Sequence, residues 1–349
     1  MSGEEDREVL AVKDLRCEFR TIEGSLYALN GVNLTLRRGE IHGLVGESGC
    51  GKSVTSRAIL GLLDKKRSRI QGQVRFGSRN LLELGEREMR GIRGRRISMV
   101  FQDPQGSLSP MATVGSQIEE ALTNHVSLKG PSGRAELRRR TALLLERVGL
   151  SPETARRYPF ELSGGMQQRV MIAIAINCEP ELLIADEPTT ALDLSIQAQI
   201  LRLLKTLQRE LSLSVLLITH NFAVVAEICD RVSVMYAGQI VETAPAAGLI
   251  AARESGAFLE RNAFPAHPYS KALIDCIPRG RPQSTRTPLP VIPGSPPRLY
   301  DLPSGCPFAP RCSRADEACT VMPPGTERGD GHVVFCHHPV DSVPRRSSP

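Results

Sequence analysis

The sequence predicts an α/β domain carrying a helical insertion, followed by a small irregular C-terminal extension. Three observations carry this reading. Two wholly aliphatic runs, Leu182-Leu183-Ile184-Ala185 and Val215-Leu216-Leu217-Ile218, end abruptly at polar residues. Strands buried on both faces of a parallel sheet have this texture, and such sheets place their chemistry at the carboxyl edge. A strand-like run, Ile41-His42-Gly43-Leu44-Val45, leads into the glycine-rich stretch Gly46-Glu47-Ser48-Gly49-Cys50-Gly51-Lys52-Ser53. From Pro278 to Pro303 eight prolines and little periodicity mark an extended connector, beyond which Cys306, Cys312, Cys319 and Cys336 crowd into polar chain.

In chain order, Leu10 to Phe19 and Gly31 to Leu36 read as strands flanking a turn at Thr21 to Ser25, with Ile41 to Val45 entering the glycine-rich loop. Val54 to Leu63 reads as the helix leaving that loop, and Gly72 to Phe76 and Ile97 to Phe101 as two further strands. From Gly106 to about Arg157 the composition turns helical, including Glu136 to Val148, where apolar residues fall at near-helical spacing. Met166 to Ile176 and the amphipathic Ile196 to Leu211 follow as helices; Val232 to Tyr236 and Gln239 to Val241 form a hairpin turning at Ala237-Gly238. The expected division is 1–260 for the α/β domain, with a helical subdomain at about 105–178, and 261–349 for the extension, whose tail from Pro339 reads as disordered.

At 349 residues and 41 % apolar, the chain suits one large domain plus an appendage and excludes general disorder. With no Trp and 4 % aromatics, its core is expected to be aliphatic. The net charge of +6 is mild, and Arg93, Arg95, Arg96, Arg138, Arg139 and Arg140 alternate with Glu and Gly, a solvated surface rather than a nucleic-acid stripe. Uninterrupted apolar runs fall short of the roughly 18 residues a bilayer span needs. The acidic opening Met1 to Asp6 lacks the layout of a signal peptide, so the chain is expected to stay in the cytosol. There nine cysteines are not a disulfide framework, and clustered ones call for a metal or cofactor.

The stretch Gly46 to Ser53 is a full G-x-x-x-x-G-K-S phosphate loop. Such a loop turns backbone N–H groups onto phosphate oxygens, its lysine (Lys52) reaches the β/γ-phosphates and its serine (Ser53) ligates Mg²⁺. A glycine-rich turn without a ligand is the plain alternative, but the strand before and the helix after argue for a nucleoside triphosphate. Asp186-Glu187 follows the aliphatic run 182–185; one carboxylate there can hold Mg²⁺ and the other can polarise an attacking water. Ser163-Gly164-Gly165 opens a helix and presents N–H groups at its positive end, a site suited to phosphate, although a simple cap explains Ser163 equally well.

These residues, in this order and spacing, resemble the ATP-binding cassette (ABC) ATPases over roughly residues 8–260. The likeness rests on the phosphate loop, Leu162-Ser163-Gly164-Gly165-Met166-Gln167, Asp186-Glu187, Ala191-Leu192-Asp193, His220 in Ile218-Thr219-His220-Asn221, and Gln102 in Val100-Phe101-Gln102-Asp103-Pro104. The resemblance implies a mixed sheet with a helical subdomain, and ATP with Mg²⁺ held by Gly46, Glu47, Ser48, Gly49, Cys50, Gly51, Lys52, Ser53 and Val54. Ser53, Gln102 and Asp186 would attend the Mg²⁺; Glu187 would be the catalytic base and His220 a γ-phosphate contact. Phe19 would stack on adenine, or is an ordinary strand aromatic. Ser163, Gly164 and Gly165 would complete the nucleotide site of an opposite subunit, with Asp193 at that interface. Met166 and Phe19 stand where the family more often has Gln and Tyr, which removes neither hydroxyl, N–H groups nor aromatic face.

Cys17, Cys178, Cys229 and Cys276 read as small buried hydrophobes, and Cys50 as a loop spacer open to oxidation. Cys306, Cys312, Cys319 and Cys336, with five, six and sixteen residues between them, do not match short zinc knuckles and suit an iron–sulfur cluster. Zinc stays open because His337 and His338 adjoin the last cysteine. The runs His267-Pro268-Tyr269-Ser270-Lys271-Ala272-Leu273, Ile292-Pro293-Gly294-Ser295-Pro296-Pro297 and Gly305-Cys306-Pro307-Phe308-Ala309-Pro310-Arg311-Cys312 resemble the C-terminal extension of oligopeptide/dipeptide importer ATPases. Some of that group carry a [4Fe–4S] cluster on such cysteines.

The resemblance implies the energy-coupling ATPase of a peptide importer, peripheral on the cytoplasmic face of the inner membrane. Its implied partners are a second, different ABC ATPase chain, two transmembrane permease subunits and an extracytoplasmic substrate-binding protein, with no nucleic acid. Import of nickel or another small solute is the alternative cargo. A soluble ABC protein acting on ribosomes or DNA is disfavoured by the single cassette and compact insertion.

Overall fold

The computed structural model describes residues 8–126, 130–190, 192–248, 265–277 and 290–340. The acidic opening, Ala191, the first part of the proline-rich connector (278–289) and the tail from 341 onward therefore lie outside the described residues. The described residues divide into two compact units, one containing those of 36–41 and 76–218 with 8–10, the other those of 11–35, 42–75 and after 218.

In the first unit the strands Ile97–Val100, Leu182–Asp186 and Ser214–Thr219 run parallel, with Met99 opposite Ile184 and Ile184 opposite Leu216. Every residue of the latter two is buried, which is why they read as unbroken aliphatic runs. The crossover between them is the helix Leu194–Glu210, which buries Ile200, Leu201, Leu204 and Leu207 along one stripe. The helical part of this unit comprises Val114–Thr123, Gly130–Arg147 and Gly164–Ile176, with 3₁₀ turns at Pro152–Arg156 and Pro159–Glu161.

Helix ends depart from the sequence reading in a consistent way. The helix after the phosphate loop is Lys52–Ile59 rather than Val54 to Leu63. It stops because Gly61 takes φ +60°, letting Leu62 N–H donate to Arg57 O at 2.8 Å and Gly61 N–H to Ala58 O at 3.1 Å. That pair of bonds is a Schellman terminator. The same device at Gly149 (φ +75°) ends Gly130–Arg147, with Leu150 N–H on Leu145 O and Gly149 N–H on Glu146 O. The continuous helical texture from 106 to 157 is thereby cut into separate pieces.

In the second unit Ile41–Val45 runs parallel to Arg231–Tyr236, which pairs antiparallel with Gln239–Pro245. Ala237 (φ +45°) and Gly238 (φ +78°) make the expected turn. A smaller sheet aligns Gly24–Arg37, Glu8–Thr21 and Ser68–Phe76. The extension is less irregular than its sequence reads. It contributes the helix Pro268–Asp275, and its strand Val333–Phe335 pairs with Gln239–Pro245 on one side and Gly325–Glu327 on the other.

Two contacts fix the extension to this unit. Tyr236, Tyr269 and Phe308, all buried, meet at tilted and edge-on angles with centroids 4.5 to 5.3 Å apart. Such ring pairs contribute roughly 0.5–1.5 kcal/mol each beyond their burial. The expected aliphatic core thus holds in the sheets, while scarce aromatics gather where the extension docks. Glu242, fully buried, accepts hydrogen bonds from Ala266 N, His267 N and His332 Nε2 at 2.6, 3.0 and 2.8 Å.

Candidate active site

The phosphate loop of the second unit grows out of the wholly buried strand Ile41–Val45. A Cβ at Gly46 would stand 2.2 Å from the Met235 carbonyl oxygen, so only glycine lets the loop leave the strand here. Lys52, 5 % exposed, folds back so that Nζ donates to Gly46 O and Glu47 O, both at 2.9 Å. This arrangement holds an ammonium inside a ring of backbone. Gly49, Gly51, Ser48 and Ser53 complete the turn, and Val54 lies in the first turn of the helix. Cys50 is buried, and burial pushes its thiol up against the opposing pull of Lys52. A protonated, enclosed thiol is a poor nucleophile, which argues against the oxidation sensitivity read from its position.

Two other expected residues belong to this unit. Phe19 is half-buried on the strand Glu8–Thr21. His220 is exposed immediately after Ser214–Thr219, and the next residue, Asn221, caps the helix Phe222–Ile228 by accepting from Ala223 N at 2.9 Å.

The first unit carries the carboxylates. Asp186, 2 % exposed, is the last residue of Leu182–Asp186. Glu187 follows with φ +48°, a left-handed conformation that costs a non-glycine residue roughly 1–2 kcal/mol. Its N–H donates to Ile218 O at 2.8 Å. Glu187 Oε2 accepts from Gln102 Nε2 at 3.0 Å and from Thr190 Oγ1 at 2.9 Å. The surroundings thus hold a strained backbone and an oriented carboxylate at a strand end. Gln102 itself sits beyond Ile97–Val100 and before Asp103, which caps the helical turn Pro104–Ser107. Sequence reasoning missed Thr190; its one signal was a hydroxyl three residues after the glutamate.

Ser163 caps the helix Gly164–Ile176, its Oγ accepting from Met166 N at 3.4 Å. Gly165 has a packing reason of its own: a Cβ there would meet Ile196 Cγ2 at 2.7 Å on the neighbouring helix. Ser163 and Gly164 are exposed. Asp193 stands at the N-cap of Leu194–Glu210 and is exposed, yet its carboxylate makes no cap bond. Beside it Leu194 is 82 % exposed.

The four extension cysteines converge. Cys306, Cys312, Cys319 and Cys336 line one recess together with His267, Phe308, His337 and His338. They stand as thiols rather than disulfides, and Cys306 N–H donates to Cys319 O at 3.0 Å. Burial pushes the Cys336 thiol up to about 12, against the pull of a hydrogen bond with the His338 backbone and with a smaller push from the other three thiols. His267 is fully enclosed; Nδ1 accepts from Tyr269 N at 3.0 Å, so Nε2 carries the proton, and that N–H has no hydrogen-bond partner. A second donor set lies at the edge, where ligand atoms of Asp316, Cys319 and His338 fall within 4.8 Å of one another. Among the described residues no helix is long and apolar enough to cross a membrane.

Comparison with known proteins agrees with both parts of the chain. Residues 29–190 match the family model of the ABC transporter, and residues 255–319 match that of the oligopeptide/dipeptide transporter C-terminal region. The dipeptide transport ATP-binding protein DppD of Bacillus subtilis (strain 168) is 45 % identical over 332 residues, 94 % of each chain. The oligopeptide transport ATP-binding protein OppD of Salmonella typhimurium (strain LT2) is 46 % identical over 340 residues, 96 % of this chain and 95 % of that one. Among solved structures, the dimeric post-hydrolysis state of the ATP-binding cassette MJ0796 bound to ADP and Pi aligns with a TM-score of 0.61. The alignment is 29 % identical and covers 68 % of this chain and 98 % of that one.

Proposed function

The chain belongs to the ATP-binding proteins of the oligopeptide/dipeptide ABC importer family, and from that premise we propose how its residues divide the work. It is the ATP-hydrolysing subunit of a peptide importer. The observation that carries the mechanism is the Glu187 carboxylate, held by Gln102 and Thr190 at the end of a buried strand. Glu187 takes a proton from the attacking water, Gln102 senses that water and the Mg²⁺, and His220 contacts the γ-phosphate. The loop Gly46 to Val54 binds the triphosphate through N–H groups and Lys52, with Phe19 against the adenine. The Ser53 hydroxyl, the Gln102 amide and the Asp186 carboxylate would supply the hard oxygen donors that Mg²⁺ takes, and the ion would screen charge on the phosphates.

Each cassette presents Ser163, Gly164 and Gly165 to its partner's nucleotide, with Asp193 and exposed Leu194 at the seam. A solved cassette of this fold is described as dimeric, which supports the arrangement. We take the partner to be a second, different ATPase chain, and the pair to sit peripherally on the cytoplasmic face of the inner membrane. There it would drive two permease subunits fed by a substrate-binding protein, and Gln102 would lie on the path by which closure reaches them. The functional boundary falls near residue 260, with the cassette before it and the importer-type extension after.

Cys306, Cys312, Cys319 and Cys336 would hold a [4Fe–4S] cluster, which supplies one-electron redox capacity or a structural staple when bound. Four thiols in one recess fit that group, and so does the orphaned His267 N–H, which an acceptor sulfur would satisfy. The Asp316, Cys319 and His338 set favours zinc as the second reading. Iron and sulfide analysis of anaerobically purified protein is expected to find about four of each per chain; stoichiometric zinc without sulfide contradicts the cluster. For the ATPase roles, Glu187→Gln is expected to retain ATP binding and lower turnover roughly 10²-fold or more. Unchanged turnover moves the base elsewhere.

A further inference from the structure

The extension touches the phosphate loop itself. Arg311, whose side chain is 4 % exposed, lies one residue before Cys312. It donates to both carboxylate oxygens of Glu47, at 2.8 and 3.2 Å. Its remaining N–H groups go to the Tyr236 hydroxyl at 3.2 Å and to Pro293 O and Ile292 O at 2.9 and 3.4 Å. All five guanidinium donors are thereby used. The group also lies 5.8 and 5.9 Å from the ring centroids of Tyr236 and Phe308. From the helix Pro268–Asp275, the Tyr269 hydroxyl accepts from Glu47 N–H at 3.0 Å. Glu47 is consequently held at its backbone by Tyr269 and at its carboxylate by Arg311, while its carbonyl oxygen receives Lys52 Nζ.

Phosphate binding does not account for these groups. Position 47 is an unspecified residue of the G-x-x-x-x-G-K-S pattern, and any side chain there serves the phosphate equally. Neither Arg311 nor Tyr269 is a cysteine ligand or a member of the ATPase constellation. A part-buried, bidentate arginine–carboxylate pair across 264 residues is a specific arrangement. Its consequence is that the loop's second residue cannot move without breaking contact with the extension. We infer that Arg311 and Tyr269 are positioning residues for ATP binding: they preset the loop's shape, so a nucleotide meets N–H groups already in place. This rests on the reading that residues 46–53 bind the triphosphate.

The test is MgATP affinity of the purified full-length protein carrying Glu47→Gln, Arg311→Met, both together, Tyr269→Phe, or Lys52→Ala. Arg311→Met and Glu47→Gln are each expected to weaken binding about tenfold, the scale of one lost charge-assisted hydrogen-bonded pair. The double variant is expected to lose no more than Arg311→Met alone, because Glu47→Gln removes a contact that the loss of the arginine has already broken. A purely structural arginine would instead give losses that add to those of Glu47→Gln. Tyr269→Phe removes one oxygen and keeps the packing, and is expected to weaken binding about fivefold, the size of one neutral hydrogen bond. Affinities within twofold of wild type for Glu47→Gln and Tyr269→Phe, with Lys52→Ala unable to bind, overturn this inference alone. Full binding by Lys52→Ala overturns the phosphate-loop reading beneath it.

Discussion

Gln102 Nε2 and Thr190 Oγ1 meet on the same oxygen, Glu187 Oε2, at 3.0 and 2.9 Å. One donor comes from the loop after Ile97–Val100, the other from the turn after Leu182–Asp186. Glu187 needs both because its backbone is held at φ +48°, where its rotamer is not set by a regular strand or helix. The carboxylate's direction is thus a property of its neighbours.

Thr190→Val tests that dependence, since it removes the donor and keeps the branched shape. Turnover is expected to fall about five- to tenfold, the effect of losing roughly 1 kcal/mol of orientation, with MgATP affinity unchanged. Steady-state hydrolysis and nucleotide titration together check it; unaltered turnover shows that Gln102 alone orients the base.

Glu242→Ala leaves Ala266 N–H, His267 N–H and His332 Nε2 without their shared acceptor in a buried position. Each such group costs about 1–3 kcal/mol, so a loss of about 3 kcal/mol or more is expected in urea unfolding, with the extension cleaved first by protease. Destabilisation below about 1 kcal/mol would show water or rearranged chain replacing the carboxylate.

Gly165→Ala probes the seat of the helix Gly164–Ile176. Its Cβ would stand 2.7 Å from Ile196 Cγ2, and overpacking of this kind costs about 1–3 kcal/mol. Adding Ile196→Ala is expected to restore much of the thermal midpoint. If the single variant is as stable as wild type, the glycine serves the ligand only.

Acid sensitivity follows from Glu181. Burial raises its carboxyl, but ion pairs to Arg96 at 2.6 Å and Arg38 at 3.4 Å outweigh this and hold it below the ordinary value. A lowered folded-state value stabilises the protein above the unfolded carboxyl's pKa, and that contribution disappears as pH falls through the folded value. Glu181→Gln is therefore expected to be less stable than wild type at neutral pH and to match it in acid, below the folded carboxyl's own value. An equal gap at both pH values contradicts the assignment.

Strongly periodic or fully buried elements were legible. Ile41–Val45 and the hairpin strand Arg231–Tyr236 appear where their residues predicted, because burial leaves few options for such runs, while the second hairpin strand runs on to Pro245 rather than ending at Val241. Helix ends were legible in principle, since Gly61 and Gly149 carry the terminating conformation, but composition alone hid them. The strands Gly325–Glu327 and Val333–Phe335 are three residues each, too short for alternation to register. Contacts between distant segments escaped altogether. Arg311 and Glu47 are 264 residues apart, and nothing local to either predicts the other.

The most direct test of the whole account is peptide uptake by the assembled importer carrying Lys52→Ala in this chain. Lys52 is the buried ammonium that closes the phosphate loop, so uptake is expected to fall to background while the complex still assembles. Uptake at the wild-type rate would contradict the claim that ATP bound at this loop drives transport.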